Sequence, residues 1–307
     1  MSSSPVLPSL PSGPGTYRWY YADVTSGEYS AVFIFMVGSL FSPRYSVTAR
    51  QGGQPWEHAA VNFALYRKGV RLCWVLSEYP HLALESAWRL RIGGSTLSYE
   101  GNRVRMEVEE RTAPWGRPVR ANLTLEPLTP LGTEVQLVPD LPHWWQPMAP
   151  RARARLEWVT EGQVLEGLGY HDTNHGAEQL GARLPGWRWA RTHGGQETVV
   201  DYVLPGGVAP VRVKAGEQGV QCEREAHGLA VPSMGRTGWG LRVPRHLHAG
   251  PLMVGEAKLL ESSPFYARVE ARRNGLDTLG EVADFRRFHL PYIRWMAHFR
   301  TRVERSS

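Results

Sequence analysis

The sequence predicts an all-β protein, and three features carry that expectation. Glycine and proline are abundant, 32 and 23 of 307 residues, which calls for many turns. Apolar and polar residues alternate at period two along many short segments, the pattern of strands with one buried face. Glycine-containing turn signals separate those segments at the spacing of antiparallel sandwiches and barrels. With 42% hydrophobic and 21% charged residues, the chain is neither disordered nor a bundle of membrane helices, and it should close around a sizeable core.

In chain order, residues 1–15 are Ser/Pro/Gly-rich and uncharged and lack the basic region and apolar core of a signal peptide. They are expected to form a disordered lead-in. The longest apolar run, Ala31 to Phe41, falls short of the roughly 20 residues that cross a bilayer. Alternation then marks strands at Val61, Phe63 and Leu65, at Val104, Met106 and Val108, at Val119, Ala121, Leu123 and Leu125, and at Ala152, Ala154, Leu156 and Trp158. Turns are expected at Gly52-Gly53, Gly93-Gly94, Gly101-Asn102, Gly194-Gly195 and Gly206-Gly207. Pro139, Pro142, Pro147 and Pro150 interrupt the pattern near the midpoint, so a domain junction is expected at residue 140. That leaves β domains at 16–140 and 141–307, each of ordinary size and each long enough for a closed barrel of about eight to ten strands. After Pro291, Tyr292, Trp295, Met296, Phe299 and Val303 fall at helical spacing with Arg294, His298, Arg302 and Arg305 elsewhere. This predicts one amphipathic helix, which either closes a barrel or lies at a membrane interface.

The net charge is +6 and the isoelectric point near 9.5, but the basic residues are single arginines scattered among aromatics. Nucleic acid is not the expected partner; an anionic membrane face is. Cys73 and Cys222 lie far apart, so no disulfide framework or zinc ribbon is indicated, and a reducing cytoplasm fits. The signatures of nucleotide hydrolysis, dinucleotide binding, serine hydrolysis and zinc proteolysis are absent from the sequence.

The segment that carries chemistry is Gly167-Leu168-Gly169-Tyr170-His171-Asp172-Thr173-Asn174-His175-Gly176, with Trp144, Trp145, Trp158, Trp187 and Trp189 flanking it in sequence. One reading is an Asp/Asn turn in which the polar side chains satisfy local backbone donors. A second takes His171, His175 and Asp172 as metal ligands. The third is an acid in an aromatic pocket: enclosure by apolar rings raises the pKa of a carboxyl group and keeps its proton. Such an acid could protonate an alkene, and electron-rich ring faces would stabilise the resulting carbocation by about 2 kcal/mol or more each.

With those residues in view, the sequence resembles the carotenoid 1,2-hydratases, also called hydroxyneurosporene synthases, from Trp19 to about Arg302. The matching stretches are Trp19-Tyr20-Tyr21-Ala22-Asp23, Val37 to Tyr45, Asn62 with Leu65-Tyr66, Glu78, Ile92-Gly93-Gly94-Ser95, His143-Trp144-Trp145-Gln146-Pro147, Ala149-Pro150-Arg151-Ala152, Gly169-Tyr170-His171-Asp172 with Asn174 and Gly176, and Trp187 to Arg191. The resemblance implies two lipocalin-like antiparallel β-barrel domains. It also implies cofactor-free, metal-free addition of water to the terminal double bond of an acyclic carotenoid or similar polyprenoid. By that analogy Asp172 is the proton donor, Trp145 and Tyr170 are cation-stabilising rings, and His171 orients the carboxyl group. His143, Trp144, Asn174, His175, Trp187 and Trp189 are assigned to the substrate. Glu78, Asp23 and Asn62 are expected to satisfy interior hydrogen bonds.

Two departures flank the acid: Thr173 stands where the family usually has His, and His175 where it commonly has Trp. Two alternatives remain open, a cofactor-free cyclase or pericyclase acting on a polyene or terpenoid, and a non-catalytic lipid carrier. For the hydratase, the expected location is cytoplasmic and peripheral, at the inner face of a membrane.

Overall fold

The structure is a computed structural model and describes residues 7–39, 42–181, 183–224, 232–287, 290–298 and 301–304. Its first part runs through β1 (Tyr17–Ser26), β2 (Tyr29–Val37), the short helix α1 (Pro43–Thr48), β3 (Ala59–Arg67), β4 (Val70–Tyr79), β5 (Ala83–Ser86), β6 (Arg89–Ile92), β7 (Ser95–Glu100), β8 (Arg103–Arg111), β9 (Pro118–Pro127), β10 (Val135–Gln136), β11 (His143–Trp158) and β12 (Gln163–Gly176). It continues with β13 (Gly186–His193), β14 (Thr198–Val203), β15 (Val211–Gly216), β16 (Gly219–Arg224), β17 (Met234–Arg236), β18 (Arg242–Pro244), β19 (His246–Ala249), β20 (Leu252–Glu256), β21 (Lys258–Ser262), β22 (Tyr266–Arg273), β23 (Leu276–Asp284), the helix α2 (Pro291–His298) and β24 (Arg302–Val303). The alternating segments read from the sequence are β3, β8, β9 and β11. The Gly93, Gly101, Gly194 and Gly206 turns each join consecutive strands, whereas Gly52-Gly53 lies in the connection that follows α1.

The strands form two main sheets. The first has the order β24-β4-β3-β2-β1-β12-β11-β9-β8-β7-β6-β5, with β10 on β11, and is antiparallel except where β24 adds parallel to β4. The second is antiparallel, in the order β16-β15-β14-β13-β23-β22-β21. Two small hairpins, β17-β18 and β19-β20, complete the described strands. The first sheet curls on itself, so that Phe33, Phe35 and Phe63 of β2 and β3 share one core with Leu97, Met106 and Leu123 of β7 to β9. Its opposite face packs on the second sheet, and there Tyr17, Trp19, Tyr21, Trp145 and Tyr170 meet Trp187, Trp189, Tyr202 and Leu279. β1 is therefore buried on both faces almost throughout.

The first sheet runs past the proline-rich segment. β11 and β12, which follow the junction expected at residue 140, hydrogen-bond to β9 and β1 and stand at the sheet's centre. Pro147 and Pro150 sit within β11, where the pairing with β12 shifts register; prolines lack the N–H that a regular ladder requires, so the strand passes them through irregular pairing. Of the lead-in, residues 7–15 are described. Leu7 is buried, its N–H donates to the Ala87 carbonyl at 3.0 Å, and the Pro8 carbonyl accepts from the Tyr20 hydroxyl at 3.2 Å.

The helix expected after Pro291 ends at His298, and Arg302 and Val303 form β24 instead. Ile293 is buried and Met296 packs on the inter-sheet core, whereas Tyr292 is exposed. The side chains of Arg294, Trp295 and His298, and residues Phe299 and Arg305, lie outside the described residues. Among the described residues, no helix is long and apolar enough to cross a membrane.

Charges stitch the two sheets together. Asp23 of β1 and Arg191 of β13 form an ion pair with neither side chain exposed, and Arg268 of β22 donates to the Tyr66 hydroxyl of β3 at 3.0 Å. Removing one partner of a buried pair strands the other charge without solvent. Asp23→Leu should therefore destabilise the fold by about 3–5 kcal/mol, and Asp23→Leu combined with Arg191→Met should recover most of that loss. Urea unfolding of these two variants and of Arg191→Met beside the parent measures both; a double variant whose loss equals the sum of the two single losses would show that the pair is not coupled.

Candidate active site

β12 carries Asp172 and is a strand over its whole length, Gln163–Gly176, not a turn. Its glycines serve close approach: a Cβ on Gly167 would collide with the Thr25 carbonyl, one on Gly169 with the Leu125 side chain, and one on Gly176 with the Tyr17 ring. The backbone of Asp172 and Asn174 is paired with β1 and β11 on either side, so the Asp/Asn turn does not form. Alternation then sorts the cluster. Tyr170, Asp172 and Asn174 face the seam between the sheets, and His171, Thr173 and His175 face the other way.

The carboxyl group of Asp172 is buried and held asymmetrically. Oδ2 accepts two hydrogen bonds, from Trp145 Nε1 at 2.8 Å and from the Tyr170 hydroxyl at 2.7 Å. Oδ1 has only the Asn174 side-chain amide, at 3.4 Å. Burial raises the pKa of Asp172 to about 8; the two bonds to Oδ2 oppose that rise, and the negative charges of Glu281 and Asp23 add to it. Because Oδ2 is saturated by donors, the proton of the neutral acid belongs on Oδ1. Burial raises the Tyr170 hydroxyl well above its ordinary pKa, so it remains a donor.

A cavity of about 20 Å³ adjoins the acid, lined by Trp19, Tyr21, Asp172, Asn174, Trp187, Trp189, Tyr202 and Glu281. Trp19 and Trp187 stack with centroids 5.7 Å apart, and Trp189 meets Tyr21 edge-on at 5.2 Å. A second, mostly apolar cavity of about 270 Å³ includes Ile34, Trp74, Leu76 and Phe265 in its lining, with Tyr266 and Arg268. Tyr266 donates to Glu281 at 2.6 Å, and Arg268 donates to it through Nε and Nη2 at 3.2 and 3.0 Å. Since Glu281 lines the small cavity, one hydrogen-bonded layer of side chains connects the two spaces.

Of the residues singled out in the sequence, Asp172, Trp145, Tyr170, Asn174, Trp187 and Trp189 converge here. Trp145 and Tyr170 meet Asp172 through their polar edges, as donors. His143 faces the same seam beside Tyr17 and Trp19, with Nδ1 against the Tyr17 hydroxyl, and burial lowers its pKa to about 3. His171 does not join them. Its Nδ1 lies 2.7 Å from the Tyr21 carbonyl, an acceptor, so that nitrogen carries the hydrogen and Nε2 accepts from the Tyr99 hydroxyl at 2.7 Å. Burial lowers its pKa to about 4 and keeps it neutral.

His175 is at the rim, stacked on Trp144 with centroids 4.9 Å apart and bonded to Glu134 at 3.0 Å. Thr173 accepts from Arg18 at 3.1 Å and donates to the Trp19 carbonyl at 3.0 Å, so both departures from the family pattern lie behind the acid rather than beside it. On a strand His171 and His175 are roughly 13 Å apart, with Asp172 on the opposite face, so the proposed ligand trio does not assemble. Among the described residues, no group of three or more His, Cys, Asp or Glu side chains is placed to hold a metal ion.

Glu78 and Asn62 have interior partners, His58 Nδ1 at 2.6 Å and the Val75 carbonyl at 2.6 Å. Sequence reasoning missed Trp19, Tyr21, Tyr202 and Glu281 as lining residues. The alternation of Tyr17, Trp19 and Tyr21 in β1 could have revealed the first two. Nothing local marks Tyr202 and Glu281, which come from the other sheet.

The family model for carotenoid hydratase CrtC matches residues 33–307. An acyclic carotenoid 1,2-hydratase of Thiocapsa roseopersicina is 32% identical over 300 residues, covering 94% of this chain and 73% of the relative. Another, from Rhodobacter capsulatus, is 30% identical over 276 residues, covering 86% and 94%. Among solved structures, a candidate AttH protein from Nitrosomonas europaea superposes with a TM-score of 0.61 at 12% identity, covering 88% of this chain and 92% of that one. This last likeness concerns the fold alone.

The raised pKa of Asp172 makes stability fall with pH. A carboxyl group that holds its proton to about pH 8 when folded, but releases it near 3.8 when unfolded, stabilises the fold fully below the lower value and loses that contribution as pH rises through the higher one. His143 and His171, neutral when buried, act with the opposite sign below about pH 6.5. The window from pH 6.5 to 8 is therefore the clearest. There the melting temperature of the parent should decline more steeply than that of Asp172→Asn; parallel curves would place the Asp172 pKa below the window.

Proposed function

This chain belongs to the carotenoid hydratase family, and from that premise we propose that it adds water across the terminal double bond of an acyclic carotenoid with Asp172 as the acid. The observation that carries the assignment of Asp172 is its carboxyl group: buried among aromatic rings, raised to about 8, with one oxygen saturated by Trp145 and Tyr170 and the other left to deliver a proton. The proton passes from Oδ1 to the less substituted carbon of the alkene, whose π electrons form the new C–H bond. A tertiary carbocation remains on the other carbon. On this reading the cation is held by Trp19, Trp187 and Tyr202, which line the small cavity; a desolvated cation gains about 2 kcal/mol or more per ring face it meets. Water adds to the cation, and the oxonium proton returns to the Asp172 carboxylate. The cycle consumes one water and needs no redox partner.

The small cavity accepts an end group only by widening, and a long polyene requires further space. We assign that role to the larger apolar cavity, whose mouth includes Trp239, 43% exposed. Carotenoids dissolve in bilayers, so on this reading the enzyme works peripherally at a membrane surface, with that mouth turned to the lipid. The curled first sheet and the second sheet are the two lipocalin-like bodies of this reading, the second beginning after Gly176.

Asp172→Asn preserves the shape and removes the transferable proton. Turnover of lycopene in detergent should fall by at least about 100-fold while binding persists, and the parent's rate should drop as pH rises above about 8. A variant that hydrates at the parental rate would refute the acid assignment. In the larger cavity, Leu76→Trp should raise KM for the long polyene by about tenfold, ~1.4 kcal/mol, and leave hydration of a short alkene with the same end group unchanged. An unaltered KM would place the polyene elsewhere.

A further inference from the structure

Three residues lining the small cavity beside Asp172 carry a buried polar atom with no hydrogen-bond partner among the described residues; one of these atoms, the Tyr21 hydroxyl, lies close to Asp23. Asn174 Oδ1, an acceptor, and Trp189 Nε1, a donor, are each buried without a hydrogen-bond partner among the described residues, and both residues line the space beside Asp172. Asn174 is fixed in place by its own side-chain amide, which donates to Asp172 Oδ1 at 3.4 Å. Trp189 is wedged between Tyr21 and Tyr170, with ring centroids at 5.2 and 5.4 Å. Native proteins seldom leave a buried donor or acceptor unpaired, because the lost solvation is not recovered; where the site is polar, an ordered water usually supplies the missing bond. Before it widens for an end group, the space is about 20 Å³, room for a single water, which needs roughly 10–15 Å³.

Resting on the hydratase reading, we propose that this cavity is the binding site of the nucleophilic water, with Trp189 Nε1 donating to it and Asn174 Oδ1 accepting from it. Trp189 and Asn174 are thus positioning residues: they act through the water and hold it beside the acid. A water so held keeps one lone pair free to bond the carbocation and one hydrogen free of Asn174. As the C–O bond forms, that hydrogen leaves as a proton to Asp172 Oδ1, the oxygen that has just given one up. Electrons and atoms balance: the π pair makes C–H, the water lone pair makes C–O, and the carboxyl group is regenerated. The arrangement also accounts for the absence of a general base other than Asp172 among the residues lining the cavity, apart from Glu281, which is occupied by Tyr266 and Arg268.

The test separates proton delivery from water capture. Parent, Trp189→Phe and Asn174→Leu are incubated with lycopene in D2O and detergent, and deuterium is measured by mass spectrometry in both the alcohol and the recovered carotenoid. The parent should place one carbon-bound deuterium in each hydrated end. In either variant hydration should fall at least tenfold while deuterium accumulates in unhydrated carotenoid, because a cation that finds no water loses a proton and returns to alkene. If hydration and exchange fall together by the same factor, or if hydration is unchanged, the water site is wrong. If the parent incorporates deuterium in neither product, the hydratase reading fails, and this inference with it. Trp189→Phe keeps the ring and does not touch the carboxyl group, so it remains decisive should Asn174→Leu fail to fold; a thermal melt of each variant identifies that case.

Discussion

Everything distinctive about this molecule depends on one constraint: the second half of β12, from Gly169 to Asn174, must be buried on both faces. It is clamped between β1 and β11, with the core of the curled sheet behind it and the second sheet in front. A strand in that position presents alternate side chains to two dry environments. The face toward the second sheet receives Tyr170, Asp172 and Asn174, and bulk solvent does not reach the carboxyl group there. Desolvation is accordingly the largest influence on Asp172, and the hydrogen bonds from Trp145 and Tyr170 orient the group without cancelling the effect.

Burying polar groups in such a seam is costly unless each finds a partner. The fold meets that demand mainly with pairs that cross between the sheets: Asp23 with Arg191, Arg268 with Tyr66, and Ser30 with Glu270 at 3.0 Å. These contacts fix the second sheet on the first and thereby set the width of the space beside Asp172. Glu281 links structure to site. It is anchored by Tyr266 and Arg268, yet it lines the acid's cavity and its charge helps keep the neighbouring carboxyl group protonated.

The histidines show how burial assigns roles. His143 and His171 both have lowered pKa values through desolvation, so both are neutral where Asp172 is protonated. That inverts the usual order, in which the carboxyl group is the anion and the imidazole the acid. His171 faces the opposite core, where its bonds to Tyr99 and to the Tyr21 carbonyl make it a pin between β1, β7 and β12.

The sequence by itself determined the all-β class, because alternation and turn glycines are local properties that a strand expresses wherever it is placed. It also marked the segment around Asp172, the donors Trp145 and Tyr170, and the aromatic richness that makes a protonated carboxyl group plausible. It left open an Asp/Asn turn there, since glycine answers both a need for φ freedom and a need for close approach, and only the neighbouring strands show which applies. It gave His171 to the acid because adjacency in sequence looks like adjacency in space, whereas strand alternation sends neighbours to opposite faces. The tertiary structure alone decided that Trp19, Tyr21, Tyr202 and Glu281 surround Asp172, since these come from three strands in two sheets. It alone decided which carboxyl oxygen takes the two short bonds and which keeps only the longer one from Asn174, because that depends on how the neighbouring strands set these side chains around the acid.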